Sequence, residues 1–349
     1  MRYAPLVSVA ILIALHLPVP AQQPPVYPGK DWAKTGPAAA GWDVKRTDEA
    51  TAYARQIGAT SFMLIRHGAV IAQFGDVAAR TELHSCRKSF LNALIGNAVA
   101  RGQIHLDDTL ETLGVEDNPP SLTPQEKQAT VRMLLQARSG VYHVAAYETA
   151  GMEAKRPERG SHPPGTFWYY NNWDFNTLGG IYEKAAGRSI FGSLADEIAT
   201  PIGMQDFRAK DGTYVRIPES RYPAYTMRMS ARDFARFALL YLHGGNWDGK
   251  QVVPAQWVAD STHPWSNTES GGYGYLWWTG DSANPRHRPE YVFPPGSFWL
   301  EGHLGQYAVV VPARDLIVVV RVAGDHPSKT VGKGEMATLV KMVVESTNQ

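Results

Sequence analysis

The chain has 349 residues, 44% of them hydrophobic and 19% charged, with 34 Lys plus Arg against 33 Asp plus Glu. That length and apolar content suit one large folded unit and argue against disorder. A net charge of +1 gives no electrostatic footprint for a nucleic-acid partner.

Arg2 precedes an apolar run from Ala4 to Leu17, and Val19 and Ala21 are small residues at the two positions a signal peptidase reads. Residues 1–21 therefore read as a cleaved export signal, which places the mature protein in the periplasm or the medium with no stable membrane insertion after cleavage. The run is short for a membrane span, and no cysteine follows it to carry a lipid. Cys86 is the sole cysteine, so no intramolecular disulfide can form. It reads as a small buried residue.

Residues 22–41 are rich in Pro, Gly and Ala and read as an extended lead-in. Thr60 to Phe74 predicts two strands around a His67-Gly68 turn. From Phe90, apolar residues recur at helical spacing until Gly102. Ser230 with Asp233 reads as a capping box that opens a helix ending at Gly244-Gly245. Gln306–Val311 and Leu316–Val322 flank Pro312–Asp315 and predict a second hairpin. A last amphipathic helix is expected over 335–345. Both chain ends thus supply strands and the middle supplies helices. The expected fold is α+β: an antiparallel sheet built from both termini and flanked by helices. Residues 42–349 form its domain, with a helical region over roughly 82–215 inserted.

Three short stretches carry the chemistry. In "HSCRKSF", Ser85 stands three residues before Lys88, and no other serine in the chain has a lysine at i+3. That spacing puts both on one face of a helix start, where unpaired backbone N–H groups can hold an anion. A serine there can attack a carbonyl, and a lysine made neutral by burial can take its proton. Taken alone, Ser85 could equally be an N-cap. In "PPGTFWYYNNWDFNTLGG" (163–180), a tyrosine hydroxyl could shuttle a proton to a leaving group and an asparagine could orient a lysine. In isolation the segment reads better as an aromatic loop packed on the core. In "FWLEGHLGQYAVVVP" (298–312), His303-Leu304-Gly305 precedes a strand, and Gly305 would let a substrate approach the strand edge. A polar loop entering an edge strand explains that stretch as simply.

In this order the three stretches resemble the S-x-x-K, Y-x-N and K-T-G or H-x-G motifs of serine hydrolases in the class C β-lactamase and penicillin-binding superfamily, which includes the family VIII esterases. "GQIHLDDTLETLG", "VRMLLQARSGVY" and "GGYGYLWW" resemble further landmarks of that family. The resemblance implies a β-lactamase/transpeptidase-like fold. It implies acylation of Ser85, Lys88 as base and Tyr170 as proton relay. Asn172 would orient Lys88 and substrate, His303 and Gly305 would line the opposite wall, and the N–H groups of Ser85 and Gln306 would form the oxyanion hole. No metal or organic cofactor is needed. "YYNN" also permits Tyr169/Asn171; the family spacing from Pro164-Gly165 favours Tyr170/Asn172. A literal K-T-G at 34–36 precedes Ser85 and lacks a strand pattern, so it is set aside.

The substrate expected is a small ester or amide. Histidine in the third motif, where lysine would offer a fixed cation to a substrate carboxylate, argues against an efficient β-lactamase and towards a carboxylesterase. Trp168, Trp173, Tyr273, Tyr275, Trp277, Trp278 and Trp299 suggest an aromatic cleft, which Tyr142-His143 would help to line. An amidase acting on D-alanyl-D-alanine, β-lactams or nylon-type oligomers is the alternative, as is a sensor that is acylated and never turns over. No G-x-S-x-G or H-E-x-x-H occurs to support an α/β-hydrolase or a zinc hydrolase.

Overall fold

The computed structural model describes residues 26–282, 288–324 and 328–347. The expected signal at 1–21 lies outside them. Among the described residues no helix is long and apolar enough to cross a membrane.

The frame is an eight-stranded antiparallel sheet. Its strands are β1 (Ser61–Arg66), β2 (Ala69–Phe74), β3 (Ser266–Thr268), β4 (Gly271–Tyr273), β5 (Trp278–Thr279), β6 (Phe298–Gly302), β7 (Gln306–Val311) and β8 (Leu316–Arg321), in the order β2-β1-β8-β7-β6-β5-β4-β3. Strands from the two ends of the chain meet one strand in from the β2 edge, where Ser61 pairs with Arg321 and Arg66 with Leu316. The architecture is the α+β fold with a central antiparallel sheet that the sequence led us to expect.

Side chains alternate across a strand, so each strand feeds two cores. Met63 and Ile65 of β1, Ala308 and Val310 of β7, and Ile317 and Val319 of β8 join one apolar cluster. Phe62, Leu64, Val309, Val318 and Val320 join the other. Burial on both faces explains why these strands read as unbroken apolar runs. The second cluster is closed by α1 (Val44–Gln56) and α5 (Lys333–Glu345). The first is closed by the segment inserted between β2 and β3, which runs well past the expected limit near 215 and carries α2 (Arg87–Ala100), α3 (Asn172–Ala186) and α4 (Ala231–Leu242).

The helix α2 is buried almost all round, so it runs through the middle of the molecule. Gly96 permits this: a Cβ there would stand 2.3 Å from the Trp257 ring. Several boundaries differ from expectation. The last helix begins at Lys333, because the Glu335 carboxylate accepts from the Gly332 N–H at 2.8 Å and fixes its start. Ser230 does cap α4, accepting from the Asp233 N–H, but the Asp233 carboxylate does not reach back to the N-cap. It accepts instead from the N–H groups of Gln205, Asp206 and Phe207. The lead-in is more than a tail: Trp32 is buried, Arg236 donates to the carbonyls of Pro28 and Gly29, and Lys34 bridges to Val70 at the sheet edge.

One buried carboxylate ties the inserted region together. Asp117 accepts from Trp173 Nε1 at 2.5 Å, Ser220 Oγ at 3.0 Å, and the backbone N–H groups of Asn118 at 2.8 Å and Arg221 at 2.7 Å. It thereby joins the first turn of α3 to a hairpin formed by Thr213–Ile217 and Ser220–Thr226. Asp117→Ala orphans several buried donors at once and is expected to cost about 2–4 kcal/mol, read as a lower midpoint in urea unfolding.

Candidate active site

Ser85 sits in a single 3-10 turn, His84–Cys86, just ahead of α2. It makes no side-chain cap to the helix, so the N-cap reading of this serine does not hold. The turn is held from several sides. Leu83 N–H donates to the Met227 carbonyl, and Arg87 donates to the His84 carbonyl. His84 adopts a left-handed backbone with φ 49°. Such strain is sustained only where the surroundings over-determine it.

Lys88 Nζ lies 2.9 Å from Ser85 Oγ and 2.9 Å from Tyr170 Oη. Lys88 is fully buried, and burial pushes its ammonium well below the usual lysine range, with the adjacent Arg87 charge adding to the effect. Burial pushes the Tyr170 phenol up, against the opposing hydrogen bond from Ser85. A neutral amine between a hydroxyl and a neutral phenol is an arrangement able to move a proton from serine to a third group.

The two tyrosines of "YYNN" point to different partners. Tyr170 reaches Lys88, whereas Tyr169 donates to the Met152 carbonyl at 2.8 Å. Asn171 caps α3 through Trp173 N–H and donates to the Val141 carbonyl at 2.6 Å, which fixes the turn that presents Tyr170. Tyr170→Phe is expected to lower kcat by about 10²–10⁴, and Tyr169→Phe to leave it within a few-fold; steady-state kinetics on both variants checks the contrast.

Asn172 departs from its expected role. Its Nδ2 donates to the Tyr147 carbonyl at 2.7 Å, and its buried Oδ1 has no hydrogen-bond partner among the described residues. Lys88 is therefore not oriented by a direct bond from Asn172 here. Tyr142 is also displaced from the cleft lining: it packs edge-on against Tyr169 and His162, one ring back.

Ser85 opens into a cleft of about 600 Å³. Trp168, Tyr169, Tyr170, Glu301, His303 and Gly305 are among the residues that line it. Gly305 lines the cleft, but its missing Cβ makes room for Val331, whose N would lie 2.6 Å away, and its φ of 104° is unsuited to other residues. The close approach that matters to Ser85 belongs to Gly302. A Cβ there would meet the Leu83 carbonyl oxygen at 2.5 Å. Cys86 Sγ lies 3.4 Å from the Gln306 carbonyl, so the start of β7 abuts the residue after Ser85. The Gln306 side chain is turned away, bonded to Arg321 and to the Val322 carbonyl. Of the seven aromatics expected in the cleft, Trp168 and Trp278 line it. Trp173, Trp277 and Trp299 are core residues, as are Tyr273 and Tyr275. The early K-T-G lies on the sheet edge beside β2.

Three cleft residues have no local signal in the sequence. Lys333, Ser270 and Glu301 come from α5, the β3–β4 turn and β6, and only the fold assembles them. Among the described residues no group of three or more His, Cys, Asp or Glu side chains is placed to hold a metal ion.

Known proteins share this architecture. The chain superposes on a Bacillus anthracis protein provisionally named a 6-aminohexanoate-dimer hydrolase, with a TM-score of 0.65 and 19% identity, covering 90% of this chain and 86% of that one. A penicillin-binding protein homologue from Caulobacter crescentus gives a TM-score of 0.61 at 16% identity, with coverage of 86% and 97%. EstCE1, a hydrolase with promiscuous acyltransferase activity, gives 0.59 at 15%, with coverage of 86% and 97%. In sequence, an uncharacterised protein of Alkalihalophilus pseudofirmus is 25% identical over 264 residues, 68% of this chain and 73% of that protein. The Beta-lactamase family model matches residues 43–340, a span that begins just before α1 and reaches into α5. With that match over most of its length, the chain belongs to the beta-lactamase family of serine hydrolases.

Proposed function

We propose that this protein is a serine hydrolase that forms an acyl-enzyme on Ser85 and cleaves small carboxylic esters. The observation that carries the reading is the buried lysine held 2.9 Å from both the Ser85 and Tyr170 hydroxyls. Neutral Lys88 takes the Ser85 proton as Oγ attacks the ester carbonyl. The tetrahedral oxyanion is received by the Ser85 and Gln306 N–H groups, a role supported by the contact between β7 and the nucleophile turn. Collapse expels the alkoxide, which takes a proton relayed from Lys88 through Tyr170. Water then attacks the acyl carbonyl, passes its proton to the same pair and frees Ser85. The aromatic wall of Trp168 and Trp278 suits an apolar acyl group.

The test is p-nitrophenyl butyrate hydrolysis by the mature protein, with intact-mass and peptide analysis of the acylated enzyme. Release of p-nitrophenol with the butyryl group on the Ser85 peptide is the expected result. Turnover with the adduct on another residue, or no turnover and no adduct, would sink the reading. A penicilloyl adduct that persists without hydrolysis would move the protein to the sensor class instead.

The export reading of residues 1–21 belongs to the same proposal, since it puts the enzyme among periplasmic or external substrates. Expression in a bacterial host is expected to yield a periplasmic chain starting at Gln22, measured by mass. A chain retaining Met1 in that fraction would refute cleavage.

A further inference from the structure

The cleft contains a lysine after all, but not in the third motif. Lys333 is the first residue of α5, and its ammonium lines the same cleft as Ser85. It stands 3.0 Å from Glu301 Oε2, donates to Ser270 Oγ at 2.9 Å, and lies 3.9 Å from the centre of the Trp278 ring. Glu301 Oε2 also accepts from Trp299 Nε1 at 3.0 Å, which fixes the carboxylate from behind. Both side chains are mostly withdrawn from solvent, at 15% and 22% exposure.

An ammonium has three N–H donors. Here a carboxylate and a hydroxyl take two, and an aromatic face covers the head. A substrate carboxylate approaching Lys333 would have to displace Glu301 or sit beside it, and a like charge alongside is costly at low dielectric. Elsewhere in the cleft lining, Lys155 and Glu269 are exposed and of opposite sign. The ionic groups of the cleft therefore cancel, although its position beside Trp278 would make a freed Lys333 a ready anion site.

We infer that Glu301 sets the charge specificity of this enzyme: by occupying Lys333 it reserves the cleft for uncharged acyl groups and turns away acyl groups that end in a carboxylate. The inference rests on the serine hydrolase reading above. It also explains how a cation can line the cleft without creating a carboxylate-binding enzyme.

The test compares kcat/KM for p-nitrophenyl butyrate with that for mono-p-nitrophenyl glutarate, whose acyl chain ends in a carboxylate. The wild-type ratio of anionic to neutral ester is expected below about 0.1. Glu301→Gln is expected to raise that ratio about tenfold or more, with a gain that shrinks as salt is added. Adding Lys333→Met to Glu301→Gln is expected to remove the gain. A wild-type ratio near one overturns the inference, even if Glu301→Gln fails to fold. So does an unchanged ratio in a Glu301→Gln protein that melts cooperatively. Ser85-dependent turnover with an unchanged ratio defeats this inference alone, whereas the absence of Ser85-dependent turnover of either ester defeats the hydrolase reading beneath it.

Discussion

Replacing Ser85 by alanine is expected to lower kcat for p-nitrophenyl butyrate by about 10⁴-fold or more, with melting temperature nearly unchanged. In the proposed mechanism this hydroxyl is the group that becomes acylated, and no neighbour can substitute for it. Cys86 is adjacent, but burial pushes its thiol up and away from the reactive thiolate form. If Ser85, Lys88 and Tyr170 act as the one proton-transfer unit proposed above, their losses should not add. The double variant Ser85→Ala/Lys88→Met should be no slower than the slower single variant, within about tenfold. A double variant slower by the product of the two single losses would show that the residues act independently. That outcome would contradict the geometry of a shared lysine nitrogen.

Lys88→Met should likewise abolish turnover, but it should also stabilise the fold. Lys88 is held well below its ordinary pKa by burial. An unfolded lysine titrates near 10.4, so below that pH the unfolded chain binds a proton that the folded site resists. Stability linked to this residue is therefore greatest above the unfolded value and is lost as pH falls towards the depressed folded value. Methionine fills similar volume without a charge to desolvate. The variant should melt above wild type at neutral pH, and the gap should close as pH approaches 10. Calorimetry across that range would show it; a gap that is absent or reversed at neutral pH would mean the lysine is not held neutral at net cost. In the wild type, the same depression should place the acid limb of kcat/KM well below the range of an exposed lysine, since the proposed mechanism uses the neutral amine as base.

The parts of the fold legible in the sequence are those whose residues repeat a simple period. The strands β1, β7 and β8 are apolar on both faces and stand out as runs. The pairing of Ser85 with Lys88 was legible because it is one helical turn long. By contrast α1 is hard to read from sequence, since its buried face is built from Thr47, Ala50 and Ala54, which leave a faint periodic signal. The hairpin at 213–226 has no clean alternation of burial and leaves an equally faint signal. Asn172 was placed by motif, yet its amide bonds to the Tyr147 carbonyl, a partner no spacing rule could name. The pairing of Glu301 with Lys333 was hidden more deeply: a strand residue and a helix terminus with a hairpin between them meet only in three dimensions.

The union of the two chain ends in one sheet has a consequence for how the molecule comes into being. The strand β1 hydrogen-bonds to β8, and Asp43 N–H is held by the Ser346 carbonyl. A ribosome must therefore deliver the chain through residue 321 before the β1–β8 pair can close, and the β1–β2 hairpin waits without its inner neighbour until then. Such long-range closure is slow compared with local helix formation. It leaves the nascent chain open until its last strands have been made. It also means that a message truncated before codon 316 yields a sheet broken between β1 and β7, not one with a frayed end.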